Sequence, residues 1–473
     1  MKHLISHLLL ILCIPLCLWS AEPFKANDRV AFVGDSITHG GDYHTHIQAF
    51  YATRFPDRNV ICFNVGISGD NAQGGYQRAS AKGDGIWGSD VRMYQPTAAT
   101  IMLGMNDVGG GQFSSSETRE ALDNSNQQQL DWYANNYSQL LDNLETLGLS
   151  EITLIKSTPY DQTMVNEKAS DNLYKFGIGK NDAILAVSEQ VIDVEAKKRG
   201  YSVVDFNAPM LAINADQQAI DPSFTIISND RVHPRGRGHM VMAYTFLKAQ
   251  DLAGPVAQVV INAESESVES TQNCSINNLQ NNGTLSFDYA AKSLPFPTKP
   301  YKDVAALIPF EAEFNQESLI VKNLRAGSYT LEIDGIECGR FTAAELDSGV
   351  NLALLDNAPQ VLQAKEVYAL CQERAKLSRT IRTIVWAIGY LSKIKGHDAN
   401  DAVANQAMVE RLLEGEHLEG LWEAPSRYVQ SNLRQYAEHY QQYEALLMEL
   451  DALTEPLYRA AQSKTHRVQI KAL

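Results

Sequence analysis

At 473 residues and 52.4 kDa the chain has room for roughly three domains of ~150 residues each. Hydrophobic residues make up 44% and charged residues 20%, which excludes disorder as a description of the whole. A formal net charge of −16 repels phosphate backbones and argues against general nucleic-acid binding, and six cysteines are too few for a disulfide scaffold.

Met1-Lys2-His3 gives a short basic start, Leu8 to Leu18 a nearly unbroken apolar run, and Ser20-Ala21 two small residues ahead of Glu22-Pro23. That is the layout of a secretory leader over residues 1–21, and it falls short of the ~20 apolar residues that span a bilayer. No later run is apolar enough to do so. The sequence therefore reads as an exported protein, secreted or periplasmic, with no transmembrane segment after leader removal. Cys62, Cys274, Cys338 and Cys371 would remain, and their three full pairings stay open.

From 28 to about 252, short apolar runs alternate with helical patterns. Residues 30–33, 59–65, 98–103, 152–156 and 202–206 read as strands, the first three ending at Gly34, Gly66 and Gly104. Leu130, Trp132, Tyr133, Tyr137, Leu140, Leu141 and Leu144 mark one helix face, and 182–199 reads as another helix. Buried runs alternating with helices imply a five-stranded parallel sheet covered on both faces, with chemistry at the carboxyl ends of its strands. Beyond Ala253-Gly254-Pro255, residues 262–300 read as loop-rich, and period-two alternation around 319–333 marks a small β-rich module over 255–350. Residues 351–473 read as helical. There Leu433, Tyr436, Tyr440, Tyr443, Leu447 and Leu450 recur in steps of three and four, a narrow stripe for an intramolecular helix pair or for a homodimer seam.

Ser36 follows the first strand in Gly34-Asp35-Ser36-Ile37-Thr38. A hydroxyl attacks only when a base takes its proton. His233 lies beyond the fifth strand, and Asp230 is three residues before it, close enough for one turn to bring carboxylate to ring. Gly66-Ile67-Ser68-Gly69-Asp70 and Gly104-Met105-Asn106-Asp107 end the second and third strands and could offer donors to a developing oxyanion. Asp35, Asp42, Tyr43 and Asp107 fall in the same loops as candidates for touching substrate. His39, His44 and His46 read as a polar rim beside the pocket rather than a metal site, and Gly109-Gly110-Gly111 as a flexible loop.

Taken together, the blocks at 34–36, 69, 104–107 and 230–233 resemble the SGNH (GDSL) hydrolase family over roughly 28–252. The resemblance implies a flavodoxin-like three-layer α/β/α sandwich that needs no metal or other cofactor. It implies Ser36 as nucleophile, His233 as base and Asp230 as its orienting acid. The oxyanion donors it implies are the backbone N–H groups of Ser36 and Gly69 and the amide of Asn106. Ser36 lacks the Gly-x-Ser-x-Gly setting of an α/β-hydrolase, because Thr38 stands where the second glycine would be. The expected activity is ester hydrolysis, with a small-molecule or polysaccharide ester as partner and acetyl or other short acyl groups removed from carbohydrate. A lipase, lysophospholipase or thioesterase, or a non-catalytic glycan-binding protein, are the alternatives.

Overall fold

The computed structural model describes residues 21–165, 175–297, 299–398, 401–421 and 423–473. The leader thus lies outside the described residues except at its last position, and there the reading needs correcting. Ala21 is buried and its N–H donates to the Ala249 carbonyl at 3.0 Å, so it belongs to the folded domain.

Five strands, β1 (Arg29–Gly34), β2 (Ile61–Gly66), β3 (Ala98–Met102), β4 (Glu151–Lys156) and β5 (Ser202–Asp205), form one sheet in the order β2-β1-β3-β4-β5. Every neighbouring pair is parallel. Successive side chains of a strand point to opposite faces, and all five residues of β3 are buried, so helices must cover the sheet on both sides. The register aligns Gly34 with Gly66 and with Met102, which brings the loops after β1, β2 and β3 to one edge. The helix expected over 182–199 forms as Lys180–Val187 and Asp193–Arg199, joined by a π turn at Ser188–Ile192.

The β module corrects the expected loop-rich passage. β6 (Ala257–Asn262), β7 (Ser267–Gln272), β8 (Cys274–Asn281) and β9 (Thr284–Ala291) cover most of it. β7 is exposed along its whole length and β8 is broken by a register shift between Asn277 and Gln280, with Asn278 at φ +50, so neither carries clean alternation. With β10 (Glu317–Lys322), β11 (Ser328–Ile333), β12 (Ile336–Thr342), β13 (Val350–Asn351) and the C-terminal β14 (Thr465–Ala472), they build sheets ordered β13-β10-β6-β7 and β12-β11-β14-β9-β8. The inserted strand β14 comes from the far end of the region expected to be helical, and pairs antiparallel with both β11 and β9.

The remaining C-terminal residues are helical, led by Pro359–Leu391. Pro359 sits at the first helical position, where its missing N–H costs nothing. The narrow stripe is not one helix but two, Arg427–His439 and Tyr443–Ala452, separated by a 3₁₀ turn at Tyr440–Gln442. Leu433, Tyr436, Tyr443 and Leu450 are buried within the chain, in the same hydrophobic core as the five-stranded sheet, instead of offering a seam to a second copy. No disulfide joins the four described cysteines. No helix among the described residues is long and apolar enough to cross a membrane.

Candidate active site

Ser36 opens a one-turn helix, Ser36–His39, directly after β1. Asp35 caps it, its Oδ1 accepting the Ile37 N–H at 2.9 Å. The turn is tight because glycine flanks it. A Cβ on Gly34 would come within 2.2 Å of Thr38 Oγ1, and one on Gly66 within 2.3 Å of the His39 backbone nitrogen. Small residues at these strand ends let the nucleophile's turn settle onto the sheet edge.

His233 reaches the same edge from the loop before the helix Gly236–Ala249. Its Nε2 lies 2.8 Å from Ser36 Oγ and its Nδ1 3.0 Å from Asp230 Oδ2. A carboxylate can only accept, so Nδ1 carries the hydrogen and the Nε2 lone pair faces the serine hydroxyl. Burial works against ionisation of Asp230. The N–H groups of His233 and Val232, the Ser228 hydroxyl and the His233 ring together outweigh it and bring the carboxyl down to about 2. The kink that folds Asp230 back onto the ring lies at Arg231, whose φ of +66 is costly for a residue with a Cβ. Two bonds to the Asp161 backbone hold it there. The Arg231 guanidinium donates to the Asp161 carbonyl at 2.7 Å, and the Asp161 N–H donates to the Arg231 carbonyl at 2.9 Å.

The loops after β2 and β3 are tied together beside this chain. Gly69 has φ +79, a region open to glycine, in a turn closed by the Asp70 N–H on the Ile67 carbonyl at 3.0 Å. Asn106 is exposed, and its Nδ2 donates one hydrogen to the Asp70 carbonyl at 2.7 Å, leaving the second amide hydrogen for another acceptor. Asp107 Oδ1 accepts the Ala72 N–H at 2.8 Å.

Three of the expected assignments need correcting. Asp35 and Tyr43 are fully buried, Asp35 as a helix cap and Tyr43 in the core with its hydroxyl 3.0 Å from Thr38 Oγ1, so neither faces a substrate. Asp107 is buried as the tie to Ala72. Asp42, the fourth candidate, is half-exposed and paired with Arg379 at 3.0 Å. The histidine rim is likewise absent, because His39, His44 and His46 are buried. Burial first, with nearby arginines contributing at His39, lowers His39 to about 3, and burial lowers His44 and His46 to about 4. His39 is therefore a neutral acceptor, taking the Ser68 N–H on Nδ1 at 3.0 Å. Gly111 begins a short helix, Gly111–Ser115, where a loop was expected.

One group has no counterpart in the sequence reading. Asp70 pairs with Arg78 at 2.5 Å, Arg78 with Asp90 at 2.6 Å, and Asp90 with Arg382 at 2.6 Å, two acids and two bases all buried. Arg382 also donates to the Gly66 carbonyl at 3.2 Å, and Trp386 donates its indole N–H to the Ser68 carbonyl at 3.1 Å. Both come from the helix Pro359–Leu391, some three hundred residues along the chain, and neither lies in a motif that a sequence could flag.

Residues 32–241 match the GDSL-like lipase/acylhydrolase family. A solved structure of a gut microbial diltiazem-metabolizing enzyme is 31% identical, covers 96% of this chain and 100% of its own, and superposes with a TM-score of 0.85. The chain belongs to the GDSL-like lipase/acylhydrolase family. It is an ester hydrolase, and its five-stranded sandwich with added β sheets and C-terminal helices is shared with that relative. An acetyl xylan esterase (20% identity, 46% of this chain, 98% of its own, TM-score 0.36) and a lipase from goat rumen metagenome (15%, 46%, 96%, 0.34) are similar over part of the chain. No curated protein matches.

Proposed function

We propose that this GDSL hydrolase is an exported serine esterase that removes acetyl or other short acyl groups from a carbohydrate. The observation that carries the catalytic part is the unbroken chain from Asp230 through the His233 ring to Ser36 Oγ, at 3.0 and 2.8 Å. In this reading Ser36 Oγ attacks the ester carbonyl as His233 Nε2 takes its proton. The carbonyl oxygen becomes an oxyanion held by the N–H groups of Ser36 and Gly69 and the free amide hydrogen of Asn106. Collapse expels the alcohol, protonated by the His233 ring. Water, deprotonated by the same ring, then releases the acid from the acyl-serine. Asp230 stays ionised and stabilises the transient imidazolium throughout.

Support for a bulky, polar alcohol comes from the shape of the surroundings. The side chains of His233 and Asp230 are 38% and 42% exposed, so the reacting centre is open to a large substrate. A cavity of about 1240 Å³ next to Asp230 is lined by Asp221, Ser228, Asn229, Arg235 and Asp303, groups suited to hydroxyls. The basic start and the apolar run ahead of Ala21 support export. The relative that metabolises diltiazem keeps small-molecule esters within the substrate class.

Two assays test this reading. Acetate release from a panel of acetylated polysaccharides is expected, and on p-nitrophenyl esters kcat/KM is expected to be highest for acetate and to fall with chain length. Activity that climbs with chain length, without acetate release from any polysaccharide, would point to a lipase and reject the carbohydrate substrate.

A further inference from the structure

Trp386 meets the active-site loops at an informative atom. The Ser68 carbonyl that accepts its indole N–H at 3.1 Å belongs to the same peptide unit as the Gly69 N–H. No peptide bond among the described residues is cis. In a trans peptide the carbonyl and the following N–H point in opposite directions within one rigid plane. Fixing the carbonyl therefore fixes the direction of the N–H. A hydrogen bond to the carbonyl also polarises the unit and strengthens its N–H as a donor.

The same turn is held at several other points. His39 Nδ1 takes the Ser68 N–H at 3.0 Å and lies 3.1 Å from the Ser68 hydroxyl, tying it to the helical turn that begins with Ser36. Arg382, one helical turn before Trp386, donates to the Gly66 carbonyl at 3.2 Å and grips both oxygens of Asp90 at 2.6 Å. Through Arg78 that grip reaches Asp70, whose backbone carbonyl holds the Asn106 amide at 2.7 Å. Packing alone does not call for an indole N–H on Ser68 or a guanidinium on the Gly66 carbonyl.

We propose that the helix Pro359–Leu391 presets the oxyanion donors of the GDSL domain, with Trp386 and Arg382 as positioning residues. Trp386 orients the Gly69 N–H, and Arg382 seats the turn and, through Asp90, Arg78 and Asp70, the Asn106 amide. The inference rests on the reading that Gly69 and Asn106 face the oxyanion. It assigns the C-terminal extension a part in the reaction itself: a donor aimed before substrate arrives gives its full interaction in the transition state and little in the ground state.

Trp386→Phe is the direct test, because phenylalanine keeps an aromatic ring on the side of Tyr390, which the indole stacks on at 5.3 Å, and removes the N–H donor along with part of the indole's area, a packing loss that the melting temperature reads separately. With p-nitrophenyl acetate, kcat is expected to fall about 10- to 100-fold with KM within about twofold, a smaller loss than deleting an oxyanion donor outright. The melting temperature should stay within a few degrees of the parent. Arg382→Lys, which keeps the charge and loses the fork, should move kcat in the same direction. Ser36→Ala and Asn106→Ala measured alongside separate the two levels. If both lose activity while Trp386→Phe keeps the parent kcat, the positioning role is wrong and the esterase reading stands. A Trp386→Phe loss confined to KM, or one accompanied by a collapse in melting temperature, also overturns it. If Ser36→Ala retains activity, the failure lies in the esterase reading instead.

Discussion

Arg231 and Asp107 show how single residues serve this site without touching a reactant. Arg231 accepts a left-handed backbone so that Asp230 can fold back onto the ring. Asp230→Asn would keep that shape but could donate to Nδ1, favouring the tautomer that cannot take the Ser36 proton; kcat should fall about 10³–10⁴-fold with KM little changed. Since the parent carboxyl sits at about 2, it stays ionised across the working range. Asp107 behaves in the opposite way. Burial, then the neighbouring charges of Asp70 and Asp35, push it up to about 7. The folded protein thus holds a proton that the unfolded chain releases above about pH 4, and the stability gained in acid is lost as pH rises to about 7. Asp107→Asn keeps the acceptor for the Ala72 N–H and abolishes the titration. Between pH 5 and pH 8 its stability relative to the parent should rise by on the order of 1–3 kcal/mol, measured by urea unfolding at each pH. A difference that stays constant with pH would contradict the assignment. At this scale the sequence was most legible where chemistry and local spacing coincide, as at Ser36 and at Asp230 with His233. It misled where a polar residue near the motif proved to be a buried cap or tie, as with Asp35, Tyr43 and Asp107, because burial depends on distant elements.

Among elements, the strand ends and the helix Pro359–Leu391 matter most. Alternating buried runs revealed the parallel sheet, and parallel pairing alone brings β1, β2 and β3 to end together. What stayed hidden is how closely the Ser36 turn sits on β2. A methyl on Gly66 would meet the His39 backbone nitrogen at 2.3 Å, an atom that cannot swing aside. Gly66→Ala should cost about 1–3 kcal/mol and lower kcat as the Ser36 turn shifts, both checked on the purified variant. The long helix was legible as a helix, but its partners were not. Tyr368 lies 3.3 Å from His46 Nδ1, Arg379 pairs with Asp42, Arg382 with Asp90, and a Cβ on Gly389 would overlap the Trp87 ring at 2.3 Å. Each is a contact across about three hundred residues, and no local pattern encodes such a pairing. The stripe from Leu433 to Leu450 was similarly visible as apolar and silent about what covers it.

In the whole molecule, two hydrophobic cores cut across the boundaries drawn from composition. One joins the five-stranded sheet to helices from 359 to 461, and the other joins the β module to β14. A chain ending near residue 254 would leave buried Asp90 without Arg382 and expose the face that the long helix covers. Losing one partner of a buried ion pair costs about 3–5 kcal/mol before lost packing is counted. The truncated protein should therefore fail to give a cooperative melt by circular dichroism, and a soluble, active fragment would show that the catalytic fold is independent of its extension. Turn chemistry and composition located the change of texture near 255, but they could not show that the chain returns to complete a sheet at 465–472. The central claim nevertheless concerns one hydroxyl, and it is tested most directly by kcat/KM for Ser36→Ala on p-nitrophenyl acetate. A loss of at least about 10⁴-fold is expected, in a protein with the parent's melting temperature. Activity within tenfold of the parent would contradict it.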